Sequence, residues 1–302
     1  MTTQWLAQSE RSNVLAIRSL AWIASTLGRR VAQWLLYPIC LYFLAFSLRA
    51  RRASKLYLRR VLGRPATWRD IFQHYFTFAA VNLDRIFLLR GRYDLFDIHS
   101  FGEEPLLDRV ARKQGVFLLG AHLGSFEIPR ATGEKRRSVK VRMLMFEENA
   151  RKLNAVLSAI NPNFTLSIIG MGQFDSMLKI SEYLEAGELV GILGDRTLSD
   201  SRQVSLPFLG GQAEFPIAPF RLAAMLKKPV FLMVGLYRGG NRYDLHFEQL
   251  TTGEPVDRKE RESVIESWQK RYVERLEHYC RLAPYNWFNF YDFWNTTDKP
   301  QS

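Results

Sequence analysis

The chain has 302 residues, an apolar content of 47% and a net charge of +12 at pH 7. That composition excludes a disordered chain, and the length allows one large core, or one core with a helical appendage. Two distant cysteines, Cys40 and Cys280, exclude a disulfide framework and a cysteine-rich metal site, and agree with a reducing compartment.

The first ten residues carry one acid and no base, so no cleavable signal peptide is read there. Residues 1–92 hold 15 Lys and Arg against 3 Asp and Glu, which accounts for the whole positive excess. Within this third, residues 31–48 contain no charge, while Arg29 and Arg30 flank one end and Arg49, Arg51 and Arg52 the other. Bases at both ends, together with Gln33 and Pro38 inside, suit a helix embedded in the headgroup region better than a spanning one. Trp34, Tyr37 and Tyr42 are placed for the interface, and Lys55, Arg59 and Arg60 continue the basic face toward an anionic, cytoplasmic membrane surface. Nucleic acid is not expected as a partner, because the aromatics lie inside an apolar block and are not interleaved with the bases. Residues 66–90 read as one or two amphipathic helices with Ile71, Tyr75 and Phe78 at helical spacing, and His74 in that stripe reads as structural.

After residue 93 the pattern alternates. Tyr93 to Ile98 reads as an edge strand and 104–113 as a helix. His99 and Glu104 have a His-x4-acid spacing, but Glu103, Glu104 and Pro105 form an ordinary helix start. The same spacing recurs at His122 and Glu127 in a different setting. Val116 to Leu119 is an uninterrupted apolar run, the mark of a strand buried on both faces. It ends in Gly120, Gly124 permits a tight turn, and Ser125 is a natural N-cap for a helix starting there. A histidine at the carboxyl end of such a strand suits general-base attack on a carbonyl. Glu127 would favour the imidazolium, and N–H groups at the helix start would face the developing oxyanion.

Lys135, Arg136, Arg137, Lys140 and Arg142 read as a solvated basic loop in preference to a docking site for an acidic carrier or a phosphorylated headgroup. Strand 139–146, helix 148–160, strand 164–169, helix 173–186 and strand 188–194 follow. Gly194-Asp195-Arg196 closes the last of these. It reads equally as a functional pair, with Asp195 orienting a catalytic group and Arg196 holding phosphate, or as a surface turn with an ion pair. Arg202 is a second candidate anion contact, and Phe208-Leu-Gly210-Gly211 reads as an apolar turn lining a hydrophobic groove. Helix 216–227, strand 229–237, a turn at Gly239-Gly240-Asn241 and strand 242–249 make an edge hairpin. Residues 258–282 form an amphipathic helix, and the aromatic tail from Pro284 to Trp294 reads either as lining an acyl pocket or, preferably, as packing on the core. The implied fold is α/β: a mostly parallel sheet (93–302) flanked by helices, preceded by a helical membrane-anchoring region (1–92). No phosphate loop, dinucleotide fingerprint, metal-ligand spacing or Gly-x-Ser-x-Gly elbow occurs.

Gly120-Ala-His122-Leu-Gly-Ser-Phe-Glu127, Gly194-Asp195-Arg196 and Leu206-Pro-Phe-Leu-Gly210 ahead of Phe215-Pro216 resemble the ordered blocks of the lysophospholipid acyltransferase superfamily. The likeness runs over residues 15–294 and is greatest to its bacterial lipid A late (lauroyl/myristoyl) acyltransferase branch. That resemblance implies transfer of an acyl chain from a thioester, on acyl carrier protein or coenzyme A, to a hydroxyl of a membrane-bound lipid such as a lipid A precursor. It implies His122 as general base, Glu127 as its partner, Asp195 as the acid of the later block, and Gly124, Ser125, Arg196, Arg202, Phe208 and Gly210 around the substrates. No cofactor, metal or covalent acyl-enzyme is implied, and the setting is the cytoplasmic face of the inner membrane. Two departures bear on the acceptor. The lipid A enzymes tend to have Asp-Gln where this chain has Asp195-Arg196. They tend to have a basic second block where this chain has Phe146-Glu147-Glu148-Asn149, with Arg151 one turn on as a substitute. Acylation of a different lipid or specialised metabolite, and a non-catalytic lipid-binding protein of the same fold, are the alternatives.

Overall fold

A computed structural model describes residues 14–129, 140–146, 168–171, 176–196 and 202–294. The expected helix 148–160, Arg151 and most of the basic loop at 130–139 lie outside the described residues.

Three helices come first: α1 (Val14–Phe46), α2 (Leu48–Leu62) and α3 (Trp68–Leu89). Gly28 breaks α1 with a positive φ of 82°, and Pro38 lies further along it. The start of α3 is fixed by a capping box. Thr67 Oγ1 accepts from the Asp70 N–H at 3.2 Å, and the Thr67 N–H donates to Asp70 at 2.8 Å. The 66–90 region is therefore one helix.

Among the described residues a seven-stranded sheet follows, in the order β1-β9-β8-β2-β5-β3-β4. The strands are β1 (Asp97–Phe101), β2 (Val116–Gly120), β3 (Val141–Phe146), β4 (Ile168–Met171), β5 (Leu189–Leu193), β8 (Val230–Gly239) and β9 (Arg242–Thr251). The run β8-β2-β5-β3-β4 is parallel throughout; β9 is antiparallel to β8, and β1 lies parallel to β9. The expected hairpin is present, but β1 covers its outer strand, so β1 is the edge and β9 is internal. Strand β2 sits between β8 and β5 with every residue buried, which is why its sequence carries no polar alternation. The strand expected at 164–169 is seen as Ile168–Met171, with 164–167 outside the described residues.

The connecting helices are α4 (Glu104–Ala111), α5 (Ser176–Glu185), α6 (Ala218–Leu226) and α7 (Arg261–Leu282). A separate antiparallel hairpin, β6 (Gln203–Phe208) and β7 (Gly211–Pro216), occupies the segment read as an apolar turn.

The helical region and the sheet share buried surface. Ala32 and Leu36 of α1 pack with Val81, Leu83 and Phe87 of α3 and with Tyr243 and Leu245 of β9. Arg29 crosses this junction in a bidentate pair with fully buried Asp84, at 2.7 and 2.8 Å, and Tyr243 Oη donates to the same carboxylate at 2.8 Å. On α1 the inward stripe is Ala32, Leu36, Cys40 and Leu44, spaced by four. Trp34, Leu41, Tyr42 and Phe46 are exposed on the other sides, at 73, 56, 56 and 69%. Next to them α2 presents Arg49, Arg52, Lys55 and Arg59 as an exposed basic stripe. No single helix among the described residues is long and apolar enough to cross a membrane; the bent pair Thr26–Phe46 and Leu48–Leu62, at 97°, passes that test only together.

Candidate active site

Strands β2 and β5 run parallel, with Gly120 opposite Leu193. Two residues further on, each chain has left the sheet at its carboxyl edge, and the in-register side chains are His122 and Asp195. They meet: His122 Nδ1 lies 2.8 Å from Asp195 Oδ1, and the His122 backbone N–H donates to Oδ2 at 3.0 Å. The imidazole is 30% exposed and the carboxylate 0%. Tyr272 of α7 donates to the Gly120 carbonyl at 3.0 Å, as does the Gly194 N–H, tying the two strand ends together.

A carboxylate buried this deeply requires hydrogen bonds. Asp195 Oδ2 also accepts from Trp287 Nε1 at 3.1 Å and from Asn289 Nδ2 at 3.2 Å. Burial pushes the Asp195 carboxyl up, but the His122 charge and hydrogen bonds, with Arg196 nearby, outweigh it and hold the group well below the usual carboxylate range. Asp195 is therefore an acceptor on both oxygens, and the ring nitrogen facing it carries the proton. In the neutral imidazole the basic lone pair is then on Nε2.

The expected partner acid is placed elsewhere. Glu127 is ion-paired with Arg85 of α3 at 2.6 Å, and the carboxylate on Nδ1 is that of Asp195. The sheet register brings to the imidazole an acid 73 positions away, the Asp195 that the sequence offers as one that could orient a catalytic group. The tight turn at Gly124 is present, with φ 68°, and it presses on β8: a Cβ there would lie 1.9 Å from the Gly235 carbonyl oxygen. Ser125 caps the following helical turn, its Oγ accepting from the Ile128 N–H at 3.3 Å, and its side chain is buried. The N–H groups expected to meet an oxyanion are partly spent inside the fold. Gly124 donates to Asn286 O at 2.8 Å, Ser125 to Gly235 O at 2.7 Å, and Ile128 to Ser125.

The remaining candidates are dispersed. Arg196 donates to Asn289 Oδ1 at 2.6 Å and to the Phe288 carbonyl at 3.0 Å, and its guanidinium lies over the Tyr291 ring. Arg202 pairs with Glu262 on α7 at 3.4 Å. Phe208 does not line a groove; it is fully buried among Phe215, Trp287, Phe293 and Trp294. Gly210, with φ 73°, serves the β6–β7 turn. His99 pairs with Asp97 at 2.9 Å at the sheet edge, and His74 is buried between Ser54 Oγ and the Trp287 carbonyl, each at 2.8 Å.

The tail packs on the core, as its composition indicated, and it also supplies the walls of the site. Phe288 N–H donates to the His122 carbonyl at 2.7 Å, and Leu123 pairs with Trp287 as an isolated antiparallel bridge. A family model for bacterial lipid A biosynthesis acyltransferase matches residues 89–296. The chain belongs to this family. The match begins at the end of α3 and closes just beyond the tail, so it spans the whole sheet and every residue that touches Asp195. No curated protein sequence matches the chain. His122 and the acid facing it therefore both lie inside the matched region. Sequence reasoning missed Trp287, Asn289 and Arg85 as neighbours of the site. The signal for the first two was present: asparagines at 286 and 289, inside an aromatic run, have to be hydrogen-bonded once buried.

Proposed function

We propose that this acyltransferase is a membrane-associated O-acyltransferase. It moves a fatty acyl chain from a thioester of acyl carrier protein or coenzyme A to a hydroxyl of a lipid acceptor such as a lipid A precursor, within lipopolysaccharide biosynthesis. The observation that carries the reading is the 2.8 Å contact of His122 Nδ1 with buried Asp195 at the carboxyl edge of the sheet.

In this reading His122 Nε2 takes the proton of the acceptor hydroxyl as its oxygen attacks the thioester carbonyl. The new C–O bond forms, the C–S bond breaks, and His122 returns the proton to the departing thiolate, giving ester and free thiol. Asp195 fixes the ring's tautomer and stabilises the imidazolium between the two transfers, a contribution of about 10²–10⁴-fold for general-base catalysis. The thioester is already activated, so no metal or organic cofactor is called for, and Glu127 supports the fold of the motif through Arg85.

The exposed apolar sides of α1 and the basic stripe of α2 support seating on an anionic bilayer, at the cytoplasmic face of the inner membrane. The acceptor is where a second reading has support. Glu147 and Glu148 stand where the lipid A enzymes tend to have a basic block, and this favours an acceptor headgroup different from that of lipid A precursors.

The test uses the full chain in vesicles of bacterial inner-membrane lipid with dodecanoyl-acyl carrier protein, read by mass spectrometry of the lipids. His122→Ala is expected to abolish formation of the acylated lipid while vesicle binding persists. Normal turnover by that variant overturns the assignment, and release of dodecanoic acid with no acylated lipid would indicate a thioesterase.

A further inference from the structure

Asn289 stands between two charged groups and uses both ends of its amide. Oδ1 accepts from Arg196 Nε at 2.6 Å, and Nδ2 donates to Asp195 Oδ2 at 3.2 Å. A guanidinium only donates and an ionised carboxylate only accepts, so the two partners leave the amide a single orientation. The side chain is 1% exposed, and the Arg196 fork is also held by the Phe288 carbonyl at 3.0 Å. Asp195 Oδ2 receives three donors, from the His122 N–H, Trp287 Nε1 and Asn289 Nδ2, and Oδ1 is the oxygen that faces the imidazole.

We propose that Asn289 is a positioning residue for acyl transfer, setting through Asp195 how basic His122 is. The proposal rests on the reading of His122 as general base. Donors on Oδ2 draw negative charge away from Oδ1. Arg196 polarises the amide and strengthens its Nδ2–H as a donor, because hydrogen bonds in a chain reinforce one another where water is excluded. Each donor on Asp195 therefore weakens the pull of Oδ1 on the imidazolium and keeps the base deprotonated further toward acid pH. The C-terminal segment thus tunes the site as well as walling it. A glutamine at 196 could still donate to Asn289 Oδ1, whereas a leucine could not.

Asn289→Leu keeps the volume and removes both hydrogen bonds. With dodecanoyl-acyl carrier protein and inner-membrane vesicles, kcat measured on the acid limb is expected to fall about threefold, the change that a half-unit shift of a single titrating base requires. KM for the thioester should stay within about twofold, since an interaction made only on the reacting group moves kcat and not uniform binding. The acid limb of the kcat profile is expected to move to higher pH, by about half a unit. A merely structural asparagine would lower stability and leave the limb in place. Arg196→Gln and Arg196→Leu provide a second pair: the glutamine variant should retain the wild-type limb and the leucine variant should reproduce the shift. An unmoved limb in folded Asn289→Leu, or in Arg196→Leu if the former does not fold, overturns the proposal. If His122→Ala is inactive while these variants match the wild type, only the role of Asn289 falls; if His122→Ala is fully active, the general-base reading falls and takes this one with it.

Discussion

The guanidinium of Arg85, on α3, meets the carboxylate of Glu127 at 2.6 Å, and their side chains are 24 and 10% exposed. An acid five residues beyond His122 is thereby anchored to a helix that precedes the sheet. Removing one member of a largely buried pair leaves the other charged and unpaired. Arg85→Leu is therefore expected to cost about 3 kcal/mol, the lower end for such pairs because some solvent reaches the arginine. Arg85→Leu combined with Glu127→Gln should recover part of that loss. Denaturant titration of the single and double variants measures the coupling; purely additive effects would argue against a pair.

Asp195→Asn keeps the shape of the group that faces His122 but replaces an acceptor oxygen with a donor. The imidazole loses the partner that fixes its proton on Nδ1. Turnover should fall about 10²–10⁴-fold with little change in the KM for thioester. Steady-state kinetics on inner-membrane vesicles checks this, and a variant within twofold of wild type would remove Asp195 from the mechanism.

His74 makes the acid side of the stability curve steep. Burial drives its pKa down to about 4, partly opposed by its hydrogen bond to the Trp287 carbonyl. Between that value and its ordinary 6.5 the unfolded chain binds the proton more readily than the folded one. The stability present above pH 6.5 is thus lost as the pH falls toward 4, by up to roughly 3 kcal/mol. Asp195 acts in the same sense but further to acid, since a carboxyl held below its ordinary range contributes stability that disappears only as the pH falls through its folded value. His74→Gln should flatten the decline between pH 6.5 and 4 in melting temperature measured against pH, and an unchanged slope would count against a buried neutral ring.

Two glycines with nearly the same φ, 68° at Gly124 and 73° at Gly210, should respond differently to alanine. At Gly210 an added Cβ meets nothing within 4 Å, so only backbone strain of about 1 kcal/mol is expected. At Gly124 the Cβ would lie 1.9 Å from the Gly235 oxygen, so the turn carrying His122 must move. Gly124→Ala should lose activity well beyond its loss of stability, while Gly210→Ala stays active. Parallel assays and melts distinguish the two.

The exposed bases of α2 give the proposed membrane seating a salt dependence. Reversing Arg52, Lys55 and Arg59 to glutamate should weaken binding to vesicles containing anionic lipid by about 1 kcal/mol per base removed. Flotation across a salt series checks it, and binding indifferent to both salt and charge reversal would leave the apolar faces of α1 as the whole attraction.

Much of this architecture was legible in the sequence because parallel strands buried on both faces show as short apolar runs. Val116 to Leu119 located β2, and with it His122 at a strand's carboxyl end. The acid beside the histidine was not legible as such. Asp195 and Glu127 were both singled out, but only the pairing of Gly120 with Leu193 decides which one reaches Nδ1, and register between strands so far apart leaves no local trace. The β6–β7 hairpin was read as a turn because Pro207 interrupts the alternation of its first strand and Gly210-Gly211 dominates the centre. Arg85 was hidden for a similar reason: a base in an amphipathic helix looks solvated until the packing partner of that helix is known.

Residues 286 to 289 come after every strand of the sheet, yet they hydrogen-bond to the turn at His122 and to Asp195. During synthesis helices α1 to α3 therefore emerge ahead of the sheet, and this segment behind it. A nascent chain can thus complete every strand while Asp195 still lacks the donors from Trp287 and Asn289. The observed arrangement of His122 and Asp195 is in this sense a late product of folding.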